Sequence, residues 1–551
     1  MLLEVGANLL YKHIGCLHVP YRISDVTGRS ISCRSLRFDQ SVNSTQVPMK
    51  QEIFINSTPQ ESRIAIIEDA VLAEFFIERK EERGIAGNIY KGKVSRVLPG
   101  MQAAFVDIGM EKAAFLHASD FSDVPDDAQL IAASGDEIEF EASSRPPPSR
   151  RLPLEKRIAR GEDILVQVAK DPLGTKGARI TSHISLPGRY MVFMPGTKHI
   201  GISRRIEDED ERKRLKEIAH SLVSDAGGFI LRTACEGRSK REIQRDLRFL
   251  TILWKRIQKK AESAPAPSMI HQDLDLIART IRDFFTTETE QVTIDSAKDH
   301  RRIVDFVRQF MPRLKSKIVL YSEKEPLFER HGIEEKIEKA LEPRVWLKSG
   351  GYIIIERTEA LTAIDVNTGR FVGKRNQEET IFRTNLEAAP EVVRQLRLRN
   401  IGGLIIIDFI DMEKEANRKK VYEALKDALK KDKARTNILK ISELGLVEMT
   451  RQRTRESLEN QLLSPCPYCA GRGRVKSSVT IAYDVLRAIK KQQMSLENSK
   501  NIMVRLHPDI ANFLYDEKDN SLENLEREIN HRIIIKVSQD LRHDQYEISL
   551  S

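Results

Sequence analysis

Long apolar runs are missing from this sequence. No stretch approaches the roughly 18 consecutive apolar residues that a membrane-spanning helix needs, so no membrane span is predicted. Cysteine is also scarce, with five in 551 residues, which excludes the disulfide framework of a small secreted domain. Hydrophobic residues still make up 40% of the chain, enough for several cores, and the length predicts three or four domains of roughly 150 residues each.

The charge balance is only mildly one-sided. The chain has 90 basic and 81 acidic residues and a formal net charge of +9, which favours a polyanionic partner but describes a mixed surface. Residues 1–48 contain only three acids, five Lys or Arg and many serines. This segment is either an extension with no fold of its own or a targeting peptide, because organellar leaders are rich in Ser and Arg and poor in acids.

Acidic side chains end two predicted strands. The stretch "EALTAIDVNTGR" (359–370) carries Asp365 and Asn367, which share a strand face because they are two residues apart. The stretch "GGLIIIDFIDM" (402–412) carries Asp408 and Asp411, which are three apart, so strand alternation predicts that they face opposite ways. We expect Asp411 to join Asp365, and Asp408 to contact a neighbouring strand or loop. Such a group suits Mg²⁺, although acids at strand ends also serve as turn formers or caps.

Three short strands with glycine and proline turns, at Gly92, Pro99–Gly100 and Gly109, begin a predicted five-stranded barrel of the OB type. A surface insertion at 121–160, which contains "SSRPPPSRR", interrupts it. Phe105 and Phe115 either stack on bases of a single strand or belong to the barrel core.

Two further motifs carry candidate sites. "FILRTACEG" (229–237) ends a strand in Arg232 and Thr233, which suit a phosphate monoester, although a plain surface arginine explains the same pattern. "PCPYCAGRGRV" (465–475) contains Cys466 and Cys469. A tetrahedral zinc needs four ligands, so this pair predicts a zinc shared between two chains. The alternative is a redox motif, which should follow a strand and open a long helix.

The order of these motifs resembles the bacterial ribonuclease E/G family. "GNIYKGKV", "AAFVDIG", "GISRRIE", "LRTA", "PLFE" and "EALTAIDVN" precede the long run "NQEETIFRTNLEAAPEVVRQLRLRNIGGLIIIDFIDM", then "GLVEMTRQR" and the cysteine pair. The resemblance covers about residues 49–551. It implies a Mg²⁺-dependent endoribonuclease that cuts single-stranded A/U-rich RNA in rRNA maturation and mRNA decay. Such enzymes favour 5′-monophosphorylated substrates and leave 5′-phosphate products.

The resemblance also implies roles for individual residues. Asp365 and Asp411 would hold the catalytic Mg²⁺ with help from Asn367, and Cys466 and Cys469 would form half of the zinc site. The remaining carried-over residues contact RNA. Phe105, Phe115 and Lys176 do so in the barrel, and Arg232 and Thr233, with backbone from Gly188 and Val192, form the pocket that senses the 5′-phosphate.

The implied architecture is a multidomain α/β (α+β) fold. Its predicted parts are a ribonuclease H-like domain split between 49–84 and 278–340, the OB-type barrel at 85–181, a 5′ sensor at 182–277, a DNase I-like domain at 341–462, a zinc link at 463–475 and a small α/β domain at 476–551. The resemblance further implies a zinc-linked homodimer, a homotetramer built from two such dimers, and a shorter ribonuclease G type without a degradosome scaffold. A cytoplasmic location is expected, or a plastid one if residues 1–48 are a transit peptide. Two other classes stay open on the residues alone, a non-catalytic RNA-binding protein and a thiol oxidoreductase.

Overall fold

The computed structural model of the chain describes residues 50–121, 138–140, 153–172, 176–197, 199–206, 208–222, 227–369, 377–442, 445–453, 455–492, 501–515 and 521–550. Within these ranges, no helix combines the length and apolar character required to cross a bilayer. Residues 1–48 and most of the predicted insertion lie outside the described part of the chain.

The strands in the described ranges are, in chain order: β1 Gln51–Ser57, β2 Glu61–Glu68, β3 Val71–Arg79, β4 Ile89–Leu98, β5 Ala103–Asp107, β6 Ala114–His117, β7 Ile138–Phe140, β8 Asp163–Lys170, β9 Arg179–Thr181, β10 Leu186–Pro187, β11 Met191–Met194, β12 Ile200–Ser203, β13 Gly228–Leu231, β14 Ser268–His271, β15 Thr289–Ile294, β16 Ile318–Leu320, β17 Arg344–Trp346, β18 Tyr352–Arg357, β19 Leu361–Asn367, β20 Gly403–Asp408, β21 Thr436–Ile438, β22 Leu446–Arg451, β23 Asn501–Leu506, β24 Arg532–Val537 and β25 Tyr546–Leu550.

The α-helices in the same ranges are: α1 Glu209–Ser221, α2 Lys240–Ser263, α3 Leu276–Phe284, α4 Ala297–Phe310, α5 Leu327–Arg330, α6 Ile333–Lys339, α7 Gln377–Leu398, α8 Glu415–Leu429, α9 Leu458–Leu462, α10 Ser478–Gln492, α11 Pro508–Leu514 and α12 Ser521–Ile529.

The first sheet joins two distant parts of the chain. Its strand order is β16-β15-β1-β2-β3, so residues 51–79 and 289–320 contribute to one sheet. Isoleucines of β1 and β2 pack on one face against α3 and α4, while the other face packs against α5 and α6. Both faces are buried, which explains why these strands are rich in isoleucine and phenylalanine rather than strictly alternating.

The barrel is closed by five strands. Its order is β4-β5-β6-β9-β8, and β8 pairs back onto β4; β14 extends β4 from outside the predicted 85–181 segment. The prediction of a turn at Gly92 was wrong, because this residue lies inside β4. A Cβ there would lie 2.6 Å from Val106 Cγ1, so the glycine lets two barrel strands pass closely.

Parts of the predicted insertion are integral to neighbouring structure. Leu154 and Ile158 are buried in the barrel core, and β7 pairs with β12 of the next sheet. The insertion is therefore not a plain surface loop at these positions. Its "SSRPPPSRR" stretch falls outside the described residues.

The third sheet has the order β10-β11-β13-β12-β7 and packs on α1 and α2 through the cluster around Phe193 and Phe229. The fourth, β17-β18-β19-β20-β22-β21, is mixed, with parallel pairing between β19 and β20. Helices α7 and α8 cover its core. Arg397 of α7 pairs with Glu68 at 2.7 Å and Glu74 at 2.9 Å, which ties the fourth sheet to the first.

A small three-stranded sheet, β24-β23-β25, packs against α10, α11 and α12 near the end of the described chain. The prediction of a mixed α/β, multidomain fold with a closed five-stranded barrel is confirmed. The finer domain names and the residue boundaries stay predictions.

Candidate functional site

Two parallel strands bring the first acidic side chains together. Asp365 and Asp408 are register partners at the carboxyl ends of β19 and β20. Asn367, two residues after Asp365, donates a hydrogen bond from Nδ2 to Asp365 Oδ2 at 2.7 Å. The predicted sharing of a strand face by Asp365 and Asn367 is therefore confirmed, and the amide fixes the orientation of the carboxylate.

Asp411 lies in the turn that follows β20. It lines a cleft of about 530 Å³ together with Asp365, Asn367 and Asp408. The turn is held by Asn385 of α7, which is fully buried. Its amide donates to the Ile410 carbonyl at 2.7 Å and accepts from the Ile410 N–H at 3.1 Å. We refer to Asp365, Asn367, Asp408 and Asp411 as the acidic cleft.

The prediction for Asp408 was wrong. Strand alternation implied that it faces away from Asp411, but β20 ends at Asp408, so the alternation rule stops there and both side chains reach the cleft. The pKa of Asp408 is raised, first by burial and then by the negative charges of Asp365 and Asp411. In the described part of the chain, none of the three carboxylates forms an ion pair with Lys, Arg or His. The cleft therefore brings three acidic side chains close together.

This donor set fits a cation that keeps part of its water shell. Among the described residues, no three Asp, Glu, His or Cys side chains are grouped closely enough to form a metal site by themselves. Mg²⁺ is commonly held by only one or two carboxylates, with water and substrate phosphate as its other ligands. Asp365 and Asp411, with Asn367 fixing the first, meet that requirement.

The barrel carries the predicted aromatic pair on its outer surface. Phe105 and Phe115 are register partners on β5 and β6, both half-buried, with ring centroids 6.0 Å apart at 68°. The neighbouring Ala104 and Val106 point into the core and are fully buried. The two phenylalanines are thus not barrel core, and part of each ring is exposed at the barrel surface.

Basic residues continue the aromatic pair across the barrel. Arg96 on β4 is the register partner of Phe105, and Arg179 on β9 is the partner of Phe115. Lys170 on β8 is in turn opposite Arg179. All three basic residues are exposed. We call these five residues the barrel stripe; its basic members were missed because register between strands cannot be read from the sequence.

Lys176 is exposed and lies three residues before β9 begins. The next residue, Gly177, packs so tightly that a Cβ would lie 2.1 Å from the Ala113 carbonyl oxygen. This contact places Lys176 beside the beginning of β6, the strand that contains Phe115. Its position fits the predicted contact with a strand lying over the stripe.

Arg232 follows β13 and is held in place from two sides. Its Nη1 donates to the Gly188 carbonyl and to Asp283 Oδ1, both at 2.9 Å, and 24% of the side chain is exposed. Gly188 has no room for a side chain, since a Cβ would lie 2.5 Å from Asp246 Oδ2. Arg232, the adjacent Thr233 and Gly188 therefore come together as predicted.

The side chain of Val192 is 1% exposed, and its predicted contribution is its backbone. That backbone lies in β11, which is paired with β10 on one side and β13 on the other. Asp283 was missed by the sequence analysis. Although burial acts to raise the pKa of Asp283, the charges of Arg282 and then Arg232 outweigh it and hold that pKa well below its usual range. Asp283 is thus a permanent anion that orients Arg232.

The cysteine pair lies in a turn, with Cys466 exposed and Cys469 buried. The Gly473 N–H donates to Cys469 Sγ at 3.2 Å. The pKa of Cys466 is lowered, chiefly by the N–H groups of Cys469 and Tyr468, which favours the thiolate. The turn follows α9 rather than a strand, and α10 begins only at Ser478, so the flanking elements expected of a redox motif are not those found here.

Comparison with known proteins agrees with these features. A family model described as "Ribonuclease E/G family" matches residues 185–454, and one described as "RNase E/G, Thioredoxin-like domain" matches residues 465–551. Ribonuclease G of Haemophilus influenzae is 46% identical over 498 residues, which cover 90% of this chain and 99% of that protein.

Two further relatives match a similar share of this chain. Ribonuclease G of Escherichia coli K12 is 43% identical over 500 residues, covering 91% of this chain and 99% of that protein. Ribonuclease E of Haemophilus influenzae is 38% identical over 503 residues, which cover 90% of this chain but 52% of that protein. The chain therefore belongs to the ribonuclease E/G family and is of the ribonuclease G type.

Proposed function

We propose that this endoribonuclease is Mg²⁺-dependent and cuts single-stranded, A/U-rich RNA in rRNA maturation and mRNA decay. In this proposal it favours 5′-monophosphorylated substrates and leaves a 5′-phosphate on the downstream product. The observation that carries the proposal is the convergence of Asp365, Asn367 and Asp411 in one open cleft, at the carboxyl edge of two strands.

Asp365 and Asp411 would hold the metal, and the amide of Asn367 keeps the Asp365 carboxylate oriented. When bound, Mg²⁺ would neutralise charge on the scissile phosphate and lower the pKa of a water molecule. A water oxygen forms the new bond to phosphorus, the bond to the 3′ oxygen breaks, and the phosphate stays on the downstream 5′ end. Both carboxylates hold a metal only in their ionised form.

The remaining parts of the proposal concern architecture and assembly. We assign a ribonuclease H-like fold to the split first domain and a DNase I-like fold to the domain that carries the acidic cleft. Cys466 and Cys469 would share one Zn²⁺ with the same pair of a second chain, since four ligands complete a tetrahedral site. Two such dimers would make a homotetramer, located in the cytoplasm, or in a plastid if residues 1–48 act as a transit peptide.

The chemical test is an analysis of product ends. A 5′-monophosphorylated, A/U-rich oligonucleotide should be cut in Mg²⁺, and the downstream product should be ligatable through its 5′-phosphate. EDTA should stop cleavage, and added Mg²⁺ should restore it. Products that carry 2′,3′-cyclic phosphate and 5′-hydroxyl ends would contradict hydrolysis at the acidic cleft, because those ends come from attack by the RNA's own 2′ oxygen.

The barrel stripe predicts a specific loss of RNA affinity. Removing one stacking ring with Phe105→Ala should weaken binding by about 5- to 150-fold, since one stacked base contributes about 1–3 kcal/mol. Arg96→Ala should weaken binding more evenly across RNA sequences. It should also reduce the slope of log affinity against log salt concentration by about 1, the value for one phosphate contact. Fluorescence anisotropy at several salt concentrations measures both effects, with catalysis blocked by EDTA.

The matched control for the stripe is Tyr515→Ala, which removes an aromatic side chain that is 60% exposed on the small C-terminal domain. Its affinity for RNA should equal that of the wild type. If Phe105→Ala and Tyr515→Ala reduce RNA affinity equally, the effect does not depend on the position of the aromatic side chain. That result would contradict a binding role for the stripe.

The Arg232 site predicts a loss of discrimination between 5′ ends. Arg232→Gln removes the charge that Asp283 orients, so kcat/KM for a 5′-monophosphorylated substrate should fall by about 10- to 100-fold, the range of a hydrogen bond to a charged group. The value for the matching 5′-hydroxyl substrate should stay unchanged. Arg279→Gln, a more exposed arginine paired with Glu78 at 3.0 Å, serves as control; a parallel fall on both substrates would assign Arg232 a structural role instead.

A further inference from the structure

A second cavity lies at the opposite end of the strands that carry the acidic cleft. It encloses about 450 Å³, and four arginines line it together with an aliphatic floor. Thr362 of β19 borders this cavity, as does Gly402 just before β20. We call it the arginine pocket, and its charged members are Arg357, Arg399, Arg453, Arg455, Glu456 and Glu459.

Arg399 is the residue that indicates a missing ligand. It directly follows α7, is only 8% exposed, and its Nε donates to Gln395 Oε1 at 2.7 Å. Within the described ranges its Nη2 has no hydrogen-bond acceptor. Buried charged donors are almost always paired, because leaving one unpaired costs free energy. Burial lowers the pKa of Arg399 only to about 10, so the side chain is a cation at neutral pH.

The surrounding charges favour an anion. Four arginines against two glutamates leave an excess of two positive charges in the lining. Two of the arginines are already engaged: Arg357 donates to Ser457 Oγ and Asn460 Oδ1, both at 2.8 Å, and Arg455 lies 3.7 Å from the centre of the Phe76 ring. Arg399 and the exposed Arg453 are therefore the main donors left for a ligand.

The rest of the lining is apolar and suits an attached organic group. Leu341, Pro343, Ile355 and Ile401 contribute aliphatic surface beside the arginines. The volume is within the roughly 300–1,000 Å³ of small-molecule sites, and a guanidinium fork matches the oxygens of phosphate. We propose that the arginine pocket binds a nucleotide through its phosphate, either a free nucleotide or one residue of an RNA strand that extends beyond the acidic cleft.

The pocket is separate from the reacting atoms. Thr362 precedes Asp365 by three residues on β19, and Gly402 precedes Asp408 by six, which corresponds to about 10–20 Å at ~3.3 Å per strand residue. A nucleotide held by Arg399 therefore does not touch the acidic cleft. Its binding should be independent of Mg²⁺ and of the proposed cleavage chemistry, so the two proposals can fail separately.

The test uses the full chain with the acidic cleft and the Arg232 site disabled. In EDTA, a variant carrying Asp365→Asn and Arg232→Gln is titrated with 5′-AMP by isothermal calorimetry. We expect one site per chain. Adding Arg453→Ala should weaken AMP binding at least tenfold, and Arg399→Met should weaken it further. Arg308→Ala, an exposed arginine paired with Asp305, is the matched control and should leave binding unchanged. If Arg399→Met does not fold, the exposed Arg453 alone decides the outcome.

A cross-linking arm distinguishes the two sources of the nucleotide. RNA containing 4-thiouridine is irradiated with the same protein, and adducts are mapped by mass spectrometry. If RNA forms adducts in residues 340–343 or 399–402, if Arg453→Ala abolishes them, and if AMP does not bind, the pocket is assigned to an RNA residue. AMP binding that depends on Arg453 assigns it to a free nucleotide. If Arg453→Ala changes neither AMP binding nor these adducts, or if neither signal is detected, the proposal is overturned.

Discussion

The Asp365→Asn and Asp411→Asn substitutions should each reduce cleavage of a 5′-monophosphorylated, A/U-rich RNA by about 10³-fold or more, which corresponds to ~4 kcal/mol of transition-state stabilisation. Asparagine is nearly isosteric with aspartate but lacks the charge that holds a cation. RNA affinity should stay within about twofold of the wild type, because the barrel stripe is elsewhere. Single-turnover cleavage and fluorescence anisotropy on the same preparations separate the two quantities.

Asp408→Asn should have an intermediate effect on cleavage in this experiment. Asp408 adds negative charge to the acidic cleft, and we place it outside the direct ligands, so the substitution should reduce cleavage less than Asp365→Asn does. Higher Mg²⁺ should recover most of the loss. If Asp408→Asn is as damaging as Asp365→Asn at saturating Mg²⁺, Asp408 is a ligand and Asp411 loses that assignment. If both Asp365→Asn and Asp411→Asn still cleave, the non-catalytic RNA-binding alternative becomes the better description.

The thermal stability of the metal-free protein is an independent measure of the same charges. Because burial, and then the negative charges of Asp365 and Asp411, raise the pKa of Asp408, its ionised form is disfavoured in the folded, metal-free protein. Stability is therefore lost as pH rises through the folded pKa of Asp408. In EDTA at neutral pH, Asp408→Asn should melt at a higher temperature than the wild type, and Mg²⁺ should narrow the difference. A lower melting temperature in EDTA would contradict mutual repulsion in the cleft.

Local rules predicted part of this cleft and failed at a definite point. The two-residue alternation correctly placed Asp365 and Asn367 together, because both lie within β19. The same rule misplaced Asp408, because β20 ends there and the chain turns before Asp411. The buried Asn385, which fixes that turn through Ile410, is 25 residues away in α7. No local pattern distinguishes such an amide from any other polar helix residue.

Pairing between distant strands accounts for most of what could not be predicted. The sequence predicted a five-stranded barrel, but not that β14 would extend it or that Arg96 and Arg179 would flank Phe105 and Phe115. Those positions depend on register, which is set by packing across the whole barrel. Asp283 was missed for a similar reason. It reaches Arg232 from the end of α3, and only the folded chain brings the two within 2.9 Å.

The cysteine pair gives the largest expected effect on assembly. Cys466→Ser and Cys469→Ser each remove two of the four thiolates of the proposed zinc site, one from each chain, so both should lose the metal and split the oligomer at the zinc-linked interface. The wild type should contain about 0.5 zinc per chain, as four ligands from two chains require. Metal analysis combined with light scattering after size exclusion gives zinc content and molar mass together.

Tyr468→Phe is the matched control, since it removes the hydroxyl that accepts a hydrogen bond from the His543 N–H at 2.6 Å and leaves both thiols in place. It should retain zinc and full mass. The pKa of Cys466 is lowered by the N–H groups of Cys469 and Tyr468. Its thiolate therefore stays available at pH values below the pKa of an ordinary thiol, and zinc should be retained at those pH values as well. If the assembly survives without zinc and the two cysteines cycle between thiol and disulfide, they are a redox pair. In that case, the thiol oxidoreductase interpretation applies to this segment of the chain.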